Sequence, residues 1–408
     1  MTMDHSTFTR RQLLQGAGLL AAAMATPGIN VSFAAAPVDE RFIFIILRGA
    51  MDGLAAMPPY GDKNYAAARG GIALPSSAYV PLDNFFAAHN SFAGFTEMFK
   101  AGEAAVVHAV STPYRERSHF DAQNVLECGA LKPNGARDGW LNRALSLYGG
   151  NAGKLGLSVG QTIPLMMQGN TPVGTWAPAA EGLPADTVLI ALEKLYRKDQ
   201  LFHTALAQAV DVHNIADNAV DGSGFGKMGG RKGLQNQNAM KQTVTAVAKI
   251  LSDPAGPRIV TIEVGGWDTH AQQGLDKGPL ANLFAALDAG LSTLKTELGT
   301  HWSKTVVMVA TEFGRTVAQN GTNGTDHGTA SCALLAGGAV NGGKVYTKWP
   351  GLDKTQLHEN RDLRPTTDLR QVAKAILRDH LKLDDTEITS RVFPGSDRVM
   401  ALDGIIHT

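Results

Sequence analysis

The residues of this chain best equipped for chemistry are Glu312, Arg315, Asp326 and His327, all within the stretch Lys304 to Ala330. Carboxylate and neutral imidazole together bind divalent cations, with Zn, Ca, Mg and Mn all open at this point. Asp268 and His270 repeat the combination two residues apart, and Asp52 stands directly before Gly53. Ser118 offers a hydroxyl flanked by Arg115 and Arg117. It reads either as a helix cap or as a nucleophile whose alkoxide a helix N-terminus would stabilise. The neighbouring arginines suit a phosphate or sulfate group, and Arg315 is a candidate clamp for the same anion. Each residue alone also has a plain structural reading, a turn aspartate at Asp52 or a packed imidazole at His327. Their positions relative to the secondary structure have to separate the two.

Thr305 to Ala310 is a short apolar run rich in β-branched residues, Arg41 to Leu47 (RFIFIIL) is apolar at nearly every position, and Ala104 to Val110, Arg258 to Val264 and Ala333 to Ala336 are further short, mostly apolar runs. Such runs read as strands buried on both faces. Helical spacing separates them. Ser91 to Lys100 carries Phe92, Phe95, Met98 and Phe99 on one side; Ala281 to Leu298 carries Leu283, Leu287, Leu291 and Leu294. Phe120 to Leu126 reads as a helix stopped at Gly129, a short helix starts at Asp138-Gly139-Trp140-Leu141, and longer ones cover Thr187 to Val210 and Asn236 to Leu251. Alternating strands and helices predict an α/β fold with a mainly parallel central sheet in three layers, α/β/α. Asp52, Asp268, His270, Glu312, Asp326 and His327 all read as following strands. In a parallel sheet such ends converge on one edge, where open α/β sheets place ligands. Six metal-ligating residues on one edge favour a metal site. His203 and His213 read as surface or packed residues, and Asp221 to Gly233 as a Gly-rich loop.

Composition limits the alternatives. Lys plus Arg and Asp plus Glu are 37 each, so no basic field points to nucleic acid. Cys128 and Cys332 are too few for a disulfide scaffold. The beginning of the chain reads as an address. Arg10-Arg11 precede a weakly apolar run, Gly16 to Ala25, and the small residues Ala34-Ala35-Ala36. This is the layout of a twin-arginine signal peptide, which predicts export through that translocase to the periplasm or beyond. Residues 1–36 are therefore expected to form the signal and 37–408 one domain. No apolar run is long enough for stable membrane insertion.

The order of motifs resembles the DUF1501 family of exported proteins, within the alkaline phosphatase-like superfamily that includes the sulfatases. The motifs are Gly49 to Leu54 (with Ala50 in place of the usual second Gly), Arg117-Ser118-His119-Phe120, Gly265 to His270, Thr311 to Arg315, and Asp326-His327. The resemblance implies an alkaline phosphatase-like fold and a small-molecule phosphate or sulfate ester as partner. It also implies a metal centre with Asp52 as first ligand, Ser118 as nucleophile, Asp268 and His270 as the later Asp and His, and His327 (with Asp326) as the last ligand. Glu312-Phe313 falls where the superfamily has an Asp-His pair, and a phenyl ring cannot bind a metal. The expected function is an exported metal-dependent hydrolase with a degenerate site. The alternative is a non-catalytic periplasmic binding or envelope protein that keeps the fold. Ser111-Thr112-Pro113-Tyr114-Arg115 shares the letters of the sulfatase formylglycine segment without its Thr-Gly-Arg continuation.

Overall fold

Strand β1 (Arg41–Leu47) is buried at every position. Alternate side chains serve opposite faces of the sheet: Ile43, Ile45 and Leu47 join one apolar cluster, Phe42, Phe44 and Ile46 the other. A strand coated on both sides needs neighbours on both edges, and β1 has them in β7 (Ile259–Val264) and β8 (Thr305–Thr311), both parallel to it. The computed structural model describes residues 38–160, 162–177, 186–196, 199, 202, 206 and 234–407. The signal segment, the Asp221 to Gly233 loop, His203, His213 and most of the predicted helix beyond Tyr196 lie outside these residues.

The remaining strands are β2 (Tyr79–Pro81) and β3 (Ala87–His89), which pair with each other, then β4 (Ala104–Ser111), β5 (Gly156–Val159), β6 (Gly174–Trp176), β9 (Ser331–Ala336), β10 (Lys344–Tyr346) and β11 (Thr367–Asp368). The main sheet runs β10-β4-β9-β8-β1-β7-β5-β6, with β11 also on β4. Every neighbouring pair is parallel except those made by β9, which is antiparallel to both β8 and β4. The exception matters for the site. The sequence reading placed Asp326 and His327 after a strand; they precede β9, and reach the carboxyl edge because β9 runs backwards.

Short helices α1 (Gly53–Ala56) and α2 (Tyr65–Arg69) follow β1. Helices α3 (Ala93–Lys100), α6 (Gln237–Ser252) and α7 (Pro279–Leu298) cover one face, with the predicted Phe and Leu stripes buried in its core. Helices α4 (His119–Cys128), α5 (Trp140–Ser146) and α8 (Leu369–Ala375) lie on the other. The architecture is the expected three-layer α/β/α with a mostly parallel sheet. No described helix is long and apolar enough to cross a membrane. Cys128 and Cys332 are buried free thiols.

Candidate metal centre

Three chain segments bring imidazoles to the carboxyl edge of the sheet. Asp268 and His270 leave β7 in the turn after Gly265-Gly266. The chain after β1 runs close against this turn: Gly49 has φ +116, and a methyl added there would meet the Asp268 backbone nitrogen at 2.6 Å. The next residue, Ala50, also has positive φ (65°), a conformation natural to glycine, which accounts for a Gly in the related motif. His119 opens α4, whose apolar side packs Ala122 and Val125 against Ala50, Tyr114 and Phe313. His327 precedes β9 and forms an antiparallel bridge with Arg315. Gly328 permits that crossing, since a Cβ there would sit 2.4 Å from the Arg315 carbonyl.

The imidazoles share one pattern. His119 Nδ1 faces Glu312 Oε1 at 2.8 Å, His327 Nδ1 faces the Arg117 carbonyl at 3.0 Å, and His270 Nδ1 faces Asp326 Oδ1 at 3.2 Å. Carboxylates and carbonyls only accept, so all three Nδ1 atoms carry the proton. Their Nε2 atoms then point inward. His119 Nε2 lies 2.9 Å from His327 Nε2, which lies 3.0 Å from His270 Nε2. Asp268 faces all three: Oδ2 is 3.5 Å from His119 Nε2, and Oδ1 is 3.3 Å from His327 Nε2 and 3.0 Å from His270 Nε2.

Ligand atoms of His119, Asp268 and His327 all fall within 4.8 Å of one another. A tetrahedral ion with ligands at about 2.0–2.1 Å sets neighbouring ligand atoms roughly 3.3–3.4 Å apart. The two imidazole nitrogens are 2.9 Å apart, and Asp268 brings Oδ1 to 3.3 Å from His327 and Oδ2 to 3.5 Å from His119, so either carboxylate oxygen has one edge close to that value. These three residues fit a divalent metal. His270, the most exposed of the imidazoles, borders the group through His327 and Asp268.

A ring of second partners fixes these side chains. The fully buried Glu312 carboxylate accepts from His119, the Gly49 amide, Gln123 and the Thr311 hydroxyl. Phe313, which cannot ligate, stacks on the His119 ring with centroids 4.9 Å apart. Arg315 is buried and committed: one nitrogen binds Asp268 and the others the hydroxyl and carbonyl of Thr325. Its place is behind Asp268. Asp326 similarly stands behind His270, and Asn320 donates to it.

Charge follows geometry. The hydrogen bonds to Asp268 and then Glu312 push His119 up to about 9, so without a metal it holds a proton. Burial, and next the His119 charge, hold His327 below its usual value. Burial works against ionisation of Asp268, yet hydrogen bonds from His119 and Arg315 keep its carboxyl far below the usual range. Glu312 is likewise held down against its burial, chiefly by His119. The Asn320 hydrogen bond lowers Asp326.

Asp52 is placed apart from this group. Its Oδ1 caps α1 through the amides of Leu54 and Ala55, and its Oδ2 pairs with Arg69 at 2.5 Å and accepts from Gln273 at 3.0 Å. A guanidinium thus neutralises the carboxylate in a fully buried setting. Ser118 is the N-cap of α4, next to His119; its hydroxyl accepts from the Asp121 amide at a long 3.5 Å and also meets the Tyr114 hydroxyl. Ser111 is buried at the end of β4 and donates to the Thr112 carbonyl. The sequence reading missed His119 and Arg69. His119 did carry a signal, a histidine directly after a helix cap beyond a buried strand; Arg69 carried none, since nothing local says which acid it meets.

A family model described as "Protein of unknown function (DUF1501)" matches residues 87–392. No curated protein matches the chain. Among solved structures, the PsFucS1 sulfatase from Pseudoalteromonas sp. is similar at TM-score 0.40 and 12% identity, over 98% of this chain and 78% of that one. The structure of Ps i-CgsB in complex with k-i-k-neocarrahexaose is similar at TM-score 0.41 and 10% identity, over 89% and 77%. The lipoteichoic acid synthase LtaP from Listeria monocytogenes is similar at TM-score 0.33 and 9% identity, over 78% and 69%.

Proposed function

The chain belongs to the DUF1501 family, described as one of unknown function, and from its own site we propose that it is an exported metal-dependent hydrolase of phosphate or sulfate esters. The observation that carries this reading is the orientation of the imidazoles. Three Nδ1 protons are given to outward acceptors and three Nε2 atoms converge beside one carboxylate. Without a cation, the cluster holds more lone pairs than it has protons to share. His119, Asp268 and His327 would hold the metal, with His270 as a further ligand at the exposed side. Glu312 and Asp326 keep the imidazoles in the ligating tautomer, and Arg315 fixes Asp268. Bound there, a metal would polarise the ester oxygen and lower the cost of ionising a nearby hydroxyl.

Ser118 is the nucleophile in this reading. It sits one residue from His119 at the N-terminus of α4, where free backbone amides favour negative charge. The twin-arginine translocase would deliver the folded protein to the periplasm. A second reading, a binding protein that keeps the fold, draws on Asp52 and Phe313: one carboxylate is neutralised by Arg69, and a phenyl ring fills a position the resemblance gives to a ligand.

Elemental analysis beside an ester-hydrolysis screen tests the proposal. The expected result is stoichiometric metal, lost in His327→Ala, with hydrolysis abolished but metal retained in Ser118→Ala. Metal without activity on any phosphate or sulfate ester selects the binding-protein reading. Protein purified without chelator and free of metal rules out the hydrolase.

A further inference from the structure

Asp52 stands apart from the imidazoles, yet a continuous line of hydrogen bonds, buried up to its last link, joins it to Asp268. Gln273 Nε2 donates to Asp52 Oδ2 at 3.0 Å. Gln273 Oε1 accepts from the hydroxyls of Thr325 at 3.0 Å and Thr269 at 3.3 Å. Thr325 Oγ1 in turn accepts from Arg315 Nε at 3.1 Å, and Arg315 Nη1 binds Asp268 Oδ1. Asp52, Arg69, Gln273, Thr325 and Arg315 are each at most 2% exposed. At that burial a polar atom that loses its partner stays unsatisfied, so these bonds are strongly enforced.

Each link runs in one direction. The Asp52 carboxylate beside Arg69 only accepts, so the nitrogen of the Gln273 amide faces it. The amide oxygen then faces the two threonines, whose hydroxyls must donate. With its proton committed to Gln273, the Thr325 hydroxyl presents a lone pair to Arg315 Nε. The guanidinium is planar, and Nη2 is held on the Thr325 carbonyl, so fixing these two nitrogens also aims Nη1 at Asp268. Backbone bonds bring the participants together without setting this direction. The Thr325 amide donates to the Thr269 carbonyl and the Gln273 amide to the Asn323 carbonyl. Arg69 adds a second tie, from Nη1 to the Thr316 and Val317 carbonyls just beyond Arg315.

Resting on the hydrolase reading above, we propose that Gln273 and Thr325 are positioning residues for the metal centre. They pass the orientation imposed by Asp52 to Arg315, which holds the Asp268 carboxylate in the pose that faces the imidazoles. Asp52 then serves the centre from behind, without touching the metal.

The test compares three variants: Thr325→Val, nearly isosteric but without the hydroxyl, Gln273→Met, of similar shape but without the amide, and Thr325→Ser, which keeps the hydroxyl. Zinc affinity is read by competition with graded chelator. Solvent exchange of the Arg315 Nε–H is read by NMR on metal-free protein labelled at arginine, and urea unfolding is measured alongside. Val372→Ala, a cavity in the apolar layer under α8, controls for lost stability alone. Thr325→Val and Gln273→Met should each weaken zinc binding roughly tenfold or more and speed the Arg315 exchange. Their double variant should be no weaker than the worse single, because one line of bonds is broken in either case. Thr325→Ser and Val372→Ala should bind zinc as the parent does. Parent-like zinc affinity in both Thr325→Val and Gln273→Met overturns the proposal, as does a Thr325→Ser as weak as Thr325→Val. The hydrolase reading fails separately. A parent that binds no zinc loses the enzyme, and the Arg315 exchange then decides the relay by itself: faster exchange in both variants retains it, and unchanged exchange ends it.

Discussion

His119 and His327, 208 positions apart in the chain, face each other through their Nε2 atoms at 2.9 Å, with each Nδ1 proton accepted on the far side of its ring. Two lone pairs do not approach this closely unless something positive lies between them. The proton held by His119 serves in the metal-free chain, and a divalent ion would serve better.

That relationship ranks the ligands. His119→Ala should reduce metal occupancy as much as His327→Ala. Glu312→Gln, nearly the same shape but no longer a carboxylate behind His119, should weaken metal affinity by roughly 10–100-fold. Elemental analysis after dialysis against graded chelator reads both. Full occupancy in His119→Ala would remove it from the centre.

Arg69 and Asp52 form a buried pair, and deleting one partner leaves an uncompensated charge. Arg69→Met should cost about 3–5 kcal/mol in urea unfolding. Arg69→Met with Asp52→Asn should recover part of that loss, because the stranded charge is gone while the amide oxygen can still cap α1. A cost near zero for Arg69→Met would mean that Asp52 has another cation available.

Stability should fall in mild acid through His108. This fully buried side chain bonds the Met57 carbonyl and the Ala109 amide, and burial lowers it from 6.5 to about 4. Between those values the unfolded chain binds a proton that the folded chain does not, so unfolding is favoured as pH falls through this window. The loss reaches about 2 kcal/mol by pH 5, and none of it remains above about pH 7. Denaturation curves at pH 7 and pH 5 should differ by less in His108→Gln than in the parent. An equal drop in both would assign the acid sensitivity elsewhere.

Export is tested in cells. With Arg10 and Arg11 both replaced by Lys, the protein should accumulate in the cytoplasm as a precursor that retains its first residues. Undiminished mature protein in the periplasm would mean another route.

Much of the fold was legible because local pattern reports burial directly. Arg41 to Leu47 is apolar at nearly every position, which only a strand covered on both faces tolerates, and the leucines of α7 recur at the helical period. The edge on which the site lies followed from the same alternation. The direction of β9 did not, because a short run such as Ala333 to Ala336 reads alike from either end.

The sequence by itself marked Asp268, His270 and His327 as candidate ligands at one edge of a mainly parallel sheet, but not His119. Only the tertiary structure decided which carboxylates face the imidazoles and which stand behind them. Asp268 faces the Nε2 atoms, Glu312 and Asp326 hold Nδ1 protons, and Asp52 turns to Arg69. The physical reason is one of scale. Periodicity fixes a face and an end of an element to within a residue or two, whereas coordination is decided over tenths of an ångström. It depends on close approaches between remote segments, such as Gly49 against Asp268 and Gly328 against Arg315, that leave no trace in local spacing.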